Sequence, residues 1–319
     1  MIGYIIRRLF QLVLVLVGVS IITFMIIFLV PGDPALIQAG RNPTPERLAT
    51  IRHNLGLDKP IYVQYIKFGD RLVHGDLGTS FQFQRPVREM IAQNVGNTAQ
   101  LAVAAVLIEL LGIPLGVYSA LRQYTFWDTA LTTTFLLIWG IPVFVLGLFV
   151  QWFFGIAVPL NFPTVSGGGN FMWVFPTSVQ NFEALILPAL TLGVLEVAYI
   201  SYMQRASMLE VIRTDYIRTA RAKGLPERKI VLKHALKNAV IPVMTIAGID
   251  LGALFGGAII TETVFNRPGL GLMIYQAIGA RDLPVVAGGV LFVTIAYVFA
   301  NLFVDIGYAL VDPRIRYED

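Results

Sequence analysis

The sequence predicts an all-α polytopic membrane protein with six transmembrane helices and a small helical segment after the first of them. Three observations lead to this fold class: 56% of the 319 residues are hydrophobic, only 14% are charged, and the apolar residues gather in six long runs. So few charged side chains cannot cover the apolar surface of a soluble domain of this length. Lipid must therefore replace water over much of the molecular surface.

The first apolar run predicts a membrane anchor rather than a cleaved signal peptide. It extends from Leu9 to Val30 without a charged residue, which is long enough as a helix to cross a hydrocarbon core of about 30 Å. A signal peptide has a shorter apolar region of about 7 to 15 residues, followed by small residues at its cleavage site. Here the run ends in Pro31-Gly32-Asp33-Pro34, which is typical of a turn.

The polar segment 31–97 is predicted to contain two short helices on the extracytoplasmic side. Thr44-Pro45-Glu46 can cap and begin a helix that ends at Gly56. A second amphipathic stretch extends from Tyr62 to Val73 and stops near Gly75. The alternative is an unstructured hydrophilic loop. Residues 1–97 are accordingly taken as one unit, the first transmembrane helix with its extracytoplasmic helical segment.

Five further apolar runs form the predicted transmembrane core, residues 98–310, which is followed by a cytoplasmic tail, 311–319. Each run is long enough to cross the membrane, with tilt where needed. Prolines within them are tolerated because neighbouring helices satisfy the freed carbonyl groups. The runs are 98–121, 129–156, 185–204, 239–261 and 285–310.

The distribution of lysine and arginine predicts that both termini are cytoplasmic. Arg7 and Arg8 precede the first span, and cytoplasmic segments of membrane proteins are enriched in basic residues. The stretch 204–238, between spans four and five, holds nine basic residues against three acidic ones. The loop 157–184, on the opposite side in this topology, has no lysine or arginine. Segment 31–97 is longer than about 60 residues, so its charges do not indicate the side of the membrane on which it lies.

The cytoplasmic loop 206–238 is predicted to be a helix, a glycine corner and a second helix that extends to about Asn238. Apolar residues recur in it at spacings of three and four, so one face of the first helix is apolar. Gly224 suits a left-handed helix end, and Pro226 suits the first turn of a new helix. The residues of the apolar face are Leu209, Ile212, Tyr216 and Ala220.

The small side chains of Ala220, Ala222 and Gly224 suggest that a partner surface approaches the backbone of this corner. Positive charge on the cytoplasmic side also has a simpler explanation, which is the ordinary bias of membrane proteins together with contact between the helices and anionic headgroups.

The sequence offers no catalytic motif. Without cysteine there is no thiolate nucleophile, and His53, His74 and His234 lie too far apart in sequence to suggest a metal site. The patterns His-Glu-x-x-His and Gly-x-Ser-x-Gly are absent, which disfavours a membrane enzyme, and so is the phosphate-binding pattern Gly-x-x-x-x-Gly-Lys-Ser/Thr. We therefore expect a non-enzymatic chain without its own cofactor, in which transport is driven by a partner or by an ion gradient.

Four acidic residues lie within or near the apolar runs. A charged side chain at a helix centre costs roughly 2.5 to 3.5 kcal/mol on insertion scales, so each needs a compensating partner. Glu109, Glu196 and Asp250 are candidates for a cargo path that holds a peptide amine or a cation, and equally for structural pairs inside the bundle. Asp305, near the cytoplasmic end of the last run, is expected to be structural.

Several strings of residues carry a family resemblance. The loop holds Thr219-Ala220-Arg221-Ala222-Lys223-Gly224-Leu225-Pro226, followed by Lys233-His234-Ala235-Leu236-Lys237-Asn238-Ala239 and Ile241-Pro242. The others, in chain order, are Pro31-Gly32-Asp33-Pro34, Leu55-Gly56-Leu57-Asp58-Lys59-Pro60, Gly75-Asp76-Leu77-Gly78, Arg267-Pro268-Gly269-Leu270-Gly271, Ala280-Arg281-Asp282 with Pro284, and Val311-Asp312-Pro313-Arg314-Ile315-Arg316-Tyr317.

Together these strings resemble the first permease subunit of the dipeptide and oligopeptide branch of ABC importers. The general importer loop begins Glu-Ala-Ala, whereas Arg218-Thr219-Ala220 stands there in this chain. The closing proline also comes later than in the general pattern. Both departures match the peptide branch.

The resemblance implies the transmembrane domain of a type I ABC importer in the inner membrane, working by alternating access. It implies a second homologous permease subunit, two ABC ATPase subunits that bind ATP and magnesium, and an extracytoplasmic substrate-binding protein, with no nucleic-acid partner. It assigns the contact with the ATPase, the coupling helix, to Arg218, Thr219, Ala220, Arg221, Ala222, Lys223, Gly224, Leu225 and Pro226. An ion-gradient-driven secondary transporter of a small solute is the alternative. Segments 31–97 and 157–184 are candidate seats for the binding protein.

Overall fold

The computed structural model describes residues 2–29, 34–39, 43–158, 163 and 179–311, and side chains over 10–25, 35–39, 43–158, 163, 182–248, 254, 258–302. Within these ranges the regular structure is helical, apart from one antiparallel bridge between Thr79 and Pro86. The helices are α1 (Ile2–Leu29), α2 (Pro34–Ala39), α3 (Pro45–Leu55), α4 (Ile61–Val73), α5 (Val87–Glu109), α6 (Gly112–Leu121), α7 (Phe126–Trp139), α8 (Val143–Trp152), α9 (Val179–Ile212), α10 (Asp215–Ala222), α11 (Glu227–Lys229), α12 (Leu236–Val264), α13 (Leu270–Gly279) and α14 (Leu283–Val311).

Four helical stretches of the described residues are long and apolar enough to cross a membrane: 87–121, 182–212, 227–248 and 283–302. The pair α7 and α8 is apolar enough to count as a fifth if it forms one span, and its two helices meet at 105°. The break lies at Pro142, whose ring has no N–H to continue a helix. With α1, an apolar helix of 28 residues, the architecture agrees with the predicted fold class.

The segment 31–97 contains the two predicted helices, α3 and α4. The hydroxyl of Thr44 accepts a hydrogen bond from the backbone N–H of Arg47, and Gly56 ends α3 with a φ of +70°. Helix α4 packs against the first span, where the ring of Phe24 lies 5.4 Å from that of Tyr65 and 5.6 Å from that of Phe68. The prediction of two folded helices is confirmed.

Several predicted boundaries differ from the structure. Helix α5 begins at Val87, so the division between residues 97 and 98 falls inside a helix. The apolar run begins later than the helix because the first turns of the helix contain polar residues, one of which, Asn97, is nevertheless buried. Helix α9 continues through Pro188 to Ile212, well beyond the predicted end of its span at residue 204.

Helices α6 and α9 pack very closely against each other. A Cβ atom added to Gly116 would lie 2.5 Å from the carbonyl oxygen of Ser201, and one added to Gly112 would lie 2.8 Å from Ile200. Two glycines four residues apart allow membrane helices to approach backbone to backbone. In addition, the hydroxyl of Ser201 donates a hydrogen bond to the carbonyl of Gly112. Helices α6 and α9 are therefore packed backbone to backbone, and α9 leads into the loop 206–238.

Candidate functional site

The loop 206–238 is built around helix α10 and the glycine corner that ends it. Helix α9 stops at Ile212, and Thr214 takes an extended conformation before α10 begins. At the other end, Gly224 has a φ of +72°. Its N–H donates to the carbonyl of Arg221, and the N–H of Leu225 donates to that of Ala220. This pair of hydrogen bonds is the Schellman motif, which confirms the predicted left-handed glycine.

An ion pair joins the residues before the glycine corner to those after it. The guanidinium of Arg221 donates two hydrogen bonds to the carboxylate of Glu227, at 2.6 Å and 3.2 Å. The hydrogen bond to Glu227 raises the pKa of Arg221 above its ordinary value. Because both side chains are about half exposed, the pair contributes little stability and mainly fixes the geometry of the turn.

The inner face of α10 rests on the membrane helices. Ile217 is fully buried, and Ala220 is 8% exposed. They join a cluster with Val117 of α6, Met208 of α9 and Ile230 near the start of the next span. A hydrogen bond of 2.8 Å from the amide of Asn238 to the hydroxyl of Tyr216 adds a second attachment to α12. Helix α10 thus sits on three spanning segments at once.

The outer face of the corner is exposed and contains most of the residues predicted to contact an ATPase. The exposed set is Arg218, Thr219, Arg221, Ala222, Lys223, Gly224 and Pro226, with Leu225 half-buried. A Cβ atom added to Gly224 would meet no atom within 4 Å. Arg218 forms a solvent-exposed ion pair with Asp215 on the preceding turn. This surface is open to a partner of the chain.

Ala220 is a correction to the predicted contact surface. It lies one turn from Ile217 on the buried side of α10, so its small side chain serves packing against the bundle and not the approach of a partner. The predicted continuous apolar face was also wrong in one respect. The chain breaks at residues 213–214 between α9 and α10, and Tyr216 is 44% exposed beyond that break.

The second helix of the predicted loop does not end near Asn238. It begins as α11, passes through a π-helical turn at Ile230–Ala235 and continues into α12 without a break. The corner is consequently joined directly to a transmembrane helix, and a displacement of α10 would be transmitted to α12 through continuous backbone.

A buried ion pair lies near the cluster on which α10 rests, and the sequence did not reveal it. Arg205 of α9 donates hydrogen bonds of 2.6 Å and 2.8 Å to the carboxylate of Asp128 in the first turn of α7. Asp128 also accepts from the hydroxyl of Ser119 on α6 at 2.6 Å. Thr125, three residues before Asp128, predicts a helix start, but nothing local indicates the partner on α9.

A second buried cluster orders the opposite end of the bundle. The carboxylate of Glu262 accepts hydrogen bonds from the hydroxyl of Thr98 at 2.6 Å and from the backbone N–H of Gly271 at 2.7 Å. It thereby caps the start of α13, where negative charge is favoured. Arg267, fully buried nearby, donates to the side chain of Gln100. The string Arg267-Pro268-Gly269-Leu270-Gly271 therefore has a structural role, since a side chain at Gly269 or Gly271 would collide with Glu262.

The structure describes the side chains of two of the four predicted intramembrane acids. Glu109 is 2% exposed at the end of α5, and Glu196 is half-buried on α9. The side chains of Asp250 and Asp305 lie outside the described residues, as do most of the loop 157–184 and the tail 312–319. A role of these acids in a cargo path stays a prediction. In the described part of the chain, no group of three histidine, aspartate or glutamate residues is placed to hold a metal ion.

Comparison with known proteins gives full-length matches. Residues 112–317 match the family model "Binding-protein-dependent transport system inner membrane component", and residues 1–102 match its N-terminal counterpart. A dipeptide transport system permease protein, DppB, of Alkalihalophilus pseudofirmus is 40% identical, covering 99% of this chain and all of the relative. DppB of Escherichia coli K12 and the di/tripeptide permease DppB of Pseudomonas aeruginosa are each 38% identical, covering both chains completely.

Proposed function

Because this chain belongs to the family of binding-protein-dependent transport system inner membrane components, and is thus the permease subunit of an ABC importer, we propose that it forms half of a peptide-translocation pathway. The cargo is proposed to be dipeptides or other short peptides, delivered by an extracytoplasmic binding protein. Its relatives, which are dipeptide and di/tripeptide permeases, support this cargo class. The other half of the pathway is a second, homologous permease.

The observation that carries the proposal is the two-sided construction of α10. Its inner face is packed on α6, α9 and the segment that leads into α12, while its outer face and glycine corner are exposed. A helix that is buried on one side and open on the other can transfer the movement of a docked partner to the spans. We propose that two ATP-hydrolysing subunits dock on the cytoplasmic side, one of them at this corner, and that both termini of the chain are cytoplasmic.

In the proposed cycle, ATP closes the two ATPase subunits and α10 moves with them. Because α6 and α9 are locked by close glycine contacts, and because the corner is continuous with α12, the movement turns the cavity between the permeases outward. The cavity then receives the peptide. ATP hydrolysis returns the permeases to the inward-facing state.

The test is uptake by the complete importer. The chain, its partner permease, the ATPase subunits and the binding protein are reconstituted into liposomes, and uptake of radiolabelled dialanine is measured. We expect uptake that needs internal ATP and persists after an ionophore collapses the ion gradients. Uptake that survives removal of ATP but is lost with the gradient would establish the alternative, a secondary transporter.

A further inference from the structure

A cleft with a mixed polar and apolar lining lies between the start of α5, the loop 80–86 and helix α13. Its volume is about 510 Å³, within the range of about 300 to 1,000 Å³ typical of small-molecule sites. The bundle's cytoplasmic corner lies at the far ends of the spans, so the cleft is on the side from which a delivered peptide would arrive. Neither the coupling corner nor the buried ion pairs described above use this space.

The wall of the cleft is rich in side-chain amides. Gln93 on α5, Asn266 before α13 and Gln276 on α13 all line it. Within the described part of the chain, the hydrogen bonds do not include one made by the side chain of any of these three. Each amide group offers both a donor and an acceptor, which is the same combination that a peptide unit presents. The wall therefore matches the backbone of a peptide without regard to its sequence.

The floor of the cleft is apolar and adaptable. Met90, Leu272, Met273 and Val285 line it, and the last three are at least nine-tenths buried. Methionine side chains are flexible and polarizable, so they accommodate apolar groups of different shapes. Such a floor suits the varied side chains of short peptides.

Two buried carboxylates hold the cleft in shape. Asp282 accepts a hydrogen bond of 2.5 Å from the hydroxyl of Ser80 and one of 3.0 Å from the N–H of Phe81, which fixes the loop that forms the rim. Glu262 fixes the start of α13 through the N–H groups of Gly271 and Leu272. A cleft that is ordered before its ligand arrives binds at a lower entropic cost.

A cationic side chain at the rim of the cleft can pair with a carboxylate-bearing ligand. Arg85 lines the rim and its side chain is exposed. The nearby carboxylate of Asp282 already accepts three hydrogen bonds, from the Ser80 hydroxyl and two backbone N–H groups. A guanidinium pairs well with a carboxylate, and every linear peptide has one at its C-terminus.

We propose that this cleft is a subsite for a short peptide on its way from the binding protein into the membrane. The amides of Gln93 and Gln276 bind the peptide backbone, Arg85 binds the terminal carboxylate, and the methionine-lined floor receives a side chain. The inference rests on the proposed function, because it assumes peptide cargo.

The test compares variants of the complete importer in liposomes, with dialanine and trialanine as probes. The double variant Gln93→Leu with Gln276→Leu removes the two amides, and Ala280→Trp, at an exposed lining position, fills the cleft. Gln123→Leu is the matched control, since it makes the same chemical change in the turn between α6 and α7, at the other end of the bundle. The readouts are the maximal uptake rate, ATP hydrolysis, and the concentration of loaded binding protein that gives half-maximal uptake.

We expect the double variant to lower maximal uptake about tenfold or more, because two hydrogen bonds to the peptide are lost. Ala280→Trp should nearly abolish uptake, while the half-saturating concentration of binding protein and the Gln123→Leu control stay unchanged. Unchanged uptake in both cleft variants would overturn the subsite, and so would a loss caused only by weaker docking of the binding protein. If the unmodified importer took up neither probe with ATP, the proposed function itself would fail.

Discussion

The guanidinium of Arg205 and the carboxylate of Asp128 form a two-pronged ion pair between α9 and α7, with hydrogen bonds of 2.6 Å and 2.8 Å. Asp128 is 3% exposed and is held in addition by Ser119 of α6. The pair therefore ties together three helices at the end of the bundle that supports the coupling corner. It makes that end stiff enough to transmit force.

Replacing Asp128 with asparagine should destabilise the protein. The change leaves the guanidinium of Arg205 without its counter-charge in a largely buried position, which costs about 3 kcal/mol. The measurement is thermal or denaturant unfolding of the purified protein in detergent. A double-mutant cycle with Arg205→Gln provides the control. If the two single losses simply added in the double variant, the two residues would not be coupled as the structure indicates.

Ala220 and Ala222 offer a matched pair, because they lie two residues apart on opposite sides of α10. Ala220→Leu should lower the free energy of unfolding by about 1 to 3 kcal/mol, because the larger side chain overpacks the buried face of α10. Ala222→Leu should leave stability unchanged and reduce the coupling of ATP hydrolysis to uptake, because it alters the exposed face. Unfolding curves and the ratio of peptide taken up to ATP hydrolysed measure the two effects. If Ala222→Leu lowered stability and Ala220→Leu reduced the coupling, the partner would dock on the other face of α10.

Gly224→Glu should uncouple ATP hydrolysis from uptake while the protein still inserts into the membrane. The substitution places a large, charged side chain in left-handed backbone at the exposed corner. Gly75→Glu is the control, since Gly75 has nearly the same φ, +73°, and is likewise exposed and open, but follows α4 in the other segment. Normal uptake by the Gly224→Glu variant would remove the corner from the coupling path.

The proposed orientation is testable with single cysteines, because the chain has none of its own. Lys67→Cys on α4 and Lys229→Cys on α11 both replace exposed lysines. In right-side-out vesicles, a membrane-impermeant thiol reagent should label only the cysteine at position 67. Permeabilised vesicles should show labelling of both. Labelling of position 229 alone in sealed vesicles would show that the topology is the opposite of the one proposed.

Local features were predictable from the sequence because short-range physics determines them. Thr44 and Gly56 delimit α3, and Gly224 ends α10, since these residue types favour those backbone conformations whatever surrounds them. The spans followed from the length and hydrophobicity of the apolar runs. The position of the glycine corner also followed, because Gly224 lies between two predicted spans and Pro226 comes two residues after it.

Long-range pairing was not predictable in this way. Asp128 and Arg205 are 77 residues apart, and Thr98 and Glu262 are 164 residues apart. Such pairs depend on how each helix is rotated and tilted against its neighbours, which no local pattern specifies. The rotation of α10 also decided that Ala220 faces inward. For the same reason, the cleft beside α13 was not foreseen, although residues 267–271 and 280–282 had already been singled out.

The central claim is that the exposed corner of α10 is the docking point of a separate ATP-hydrolysing subunit. Its most direct test is crosslinking of the assembled importer through a single cysteine, using Lys223→Cys at the corner and Lys67→Cys as the control. We expect a thiol-to-amine crosslinker of about 10 Å to join position 223, and not position 67, to the ATPase chain, with ATP changing the yield. If no crosslink formed at position 223 in an importer that hydrolyses ATP and takes up peptide, or if the chain transported peptide alone in liposomes, the account would be contradicted.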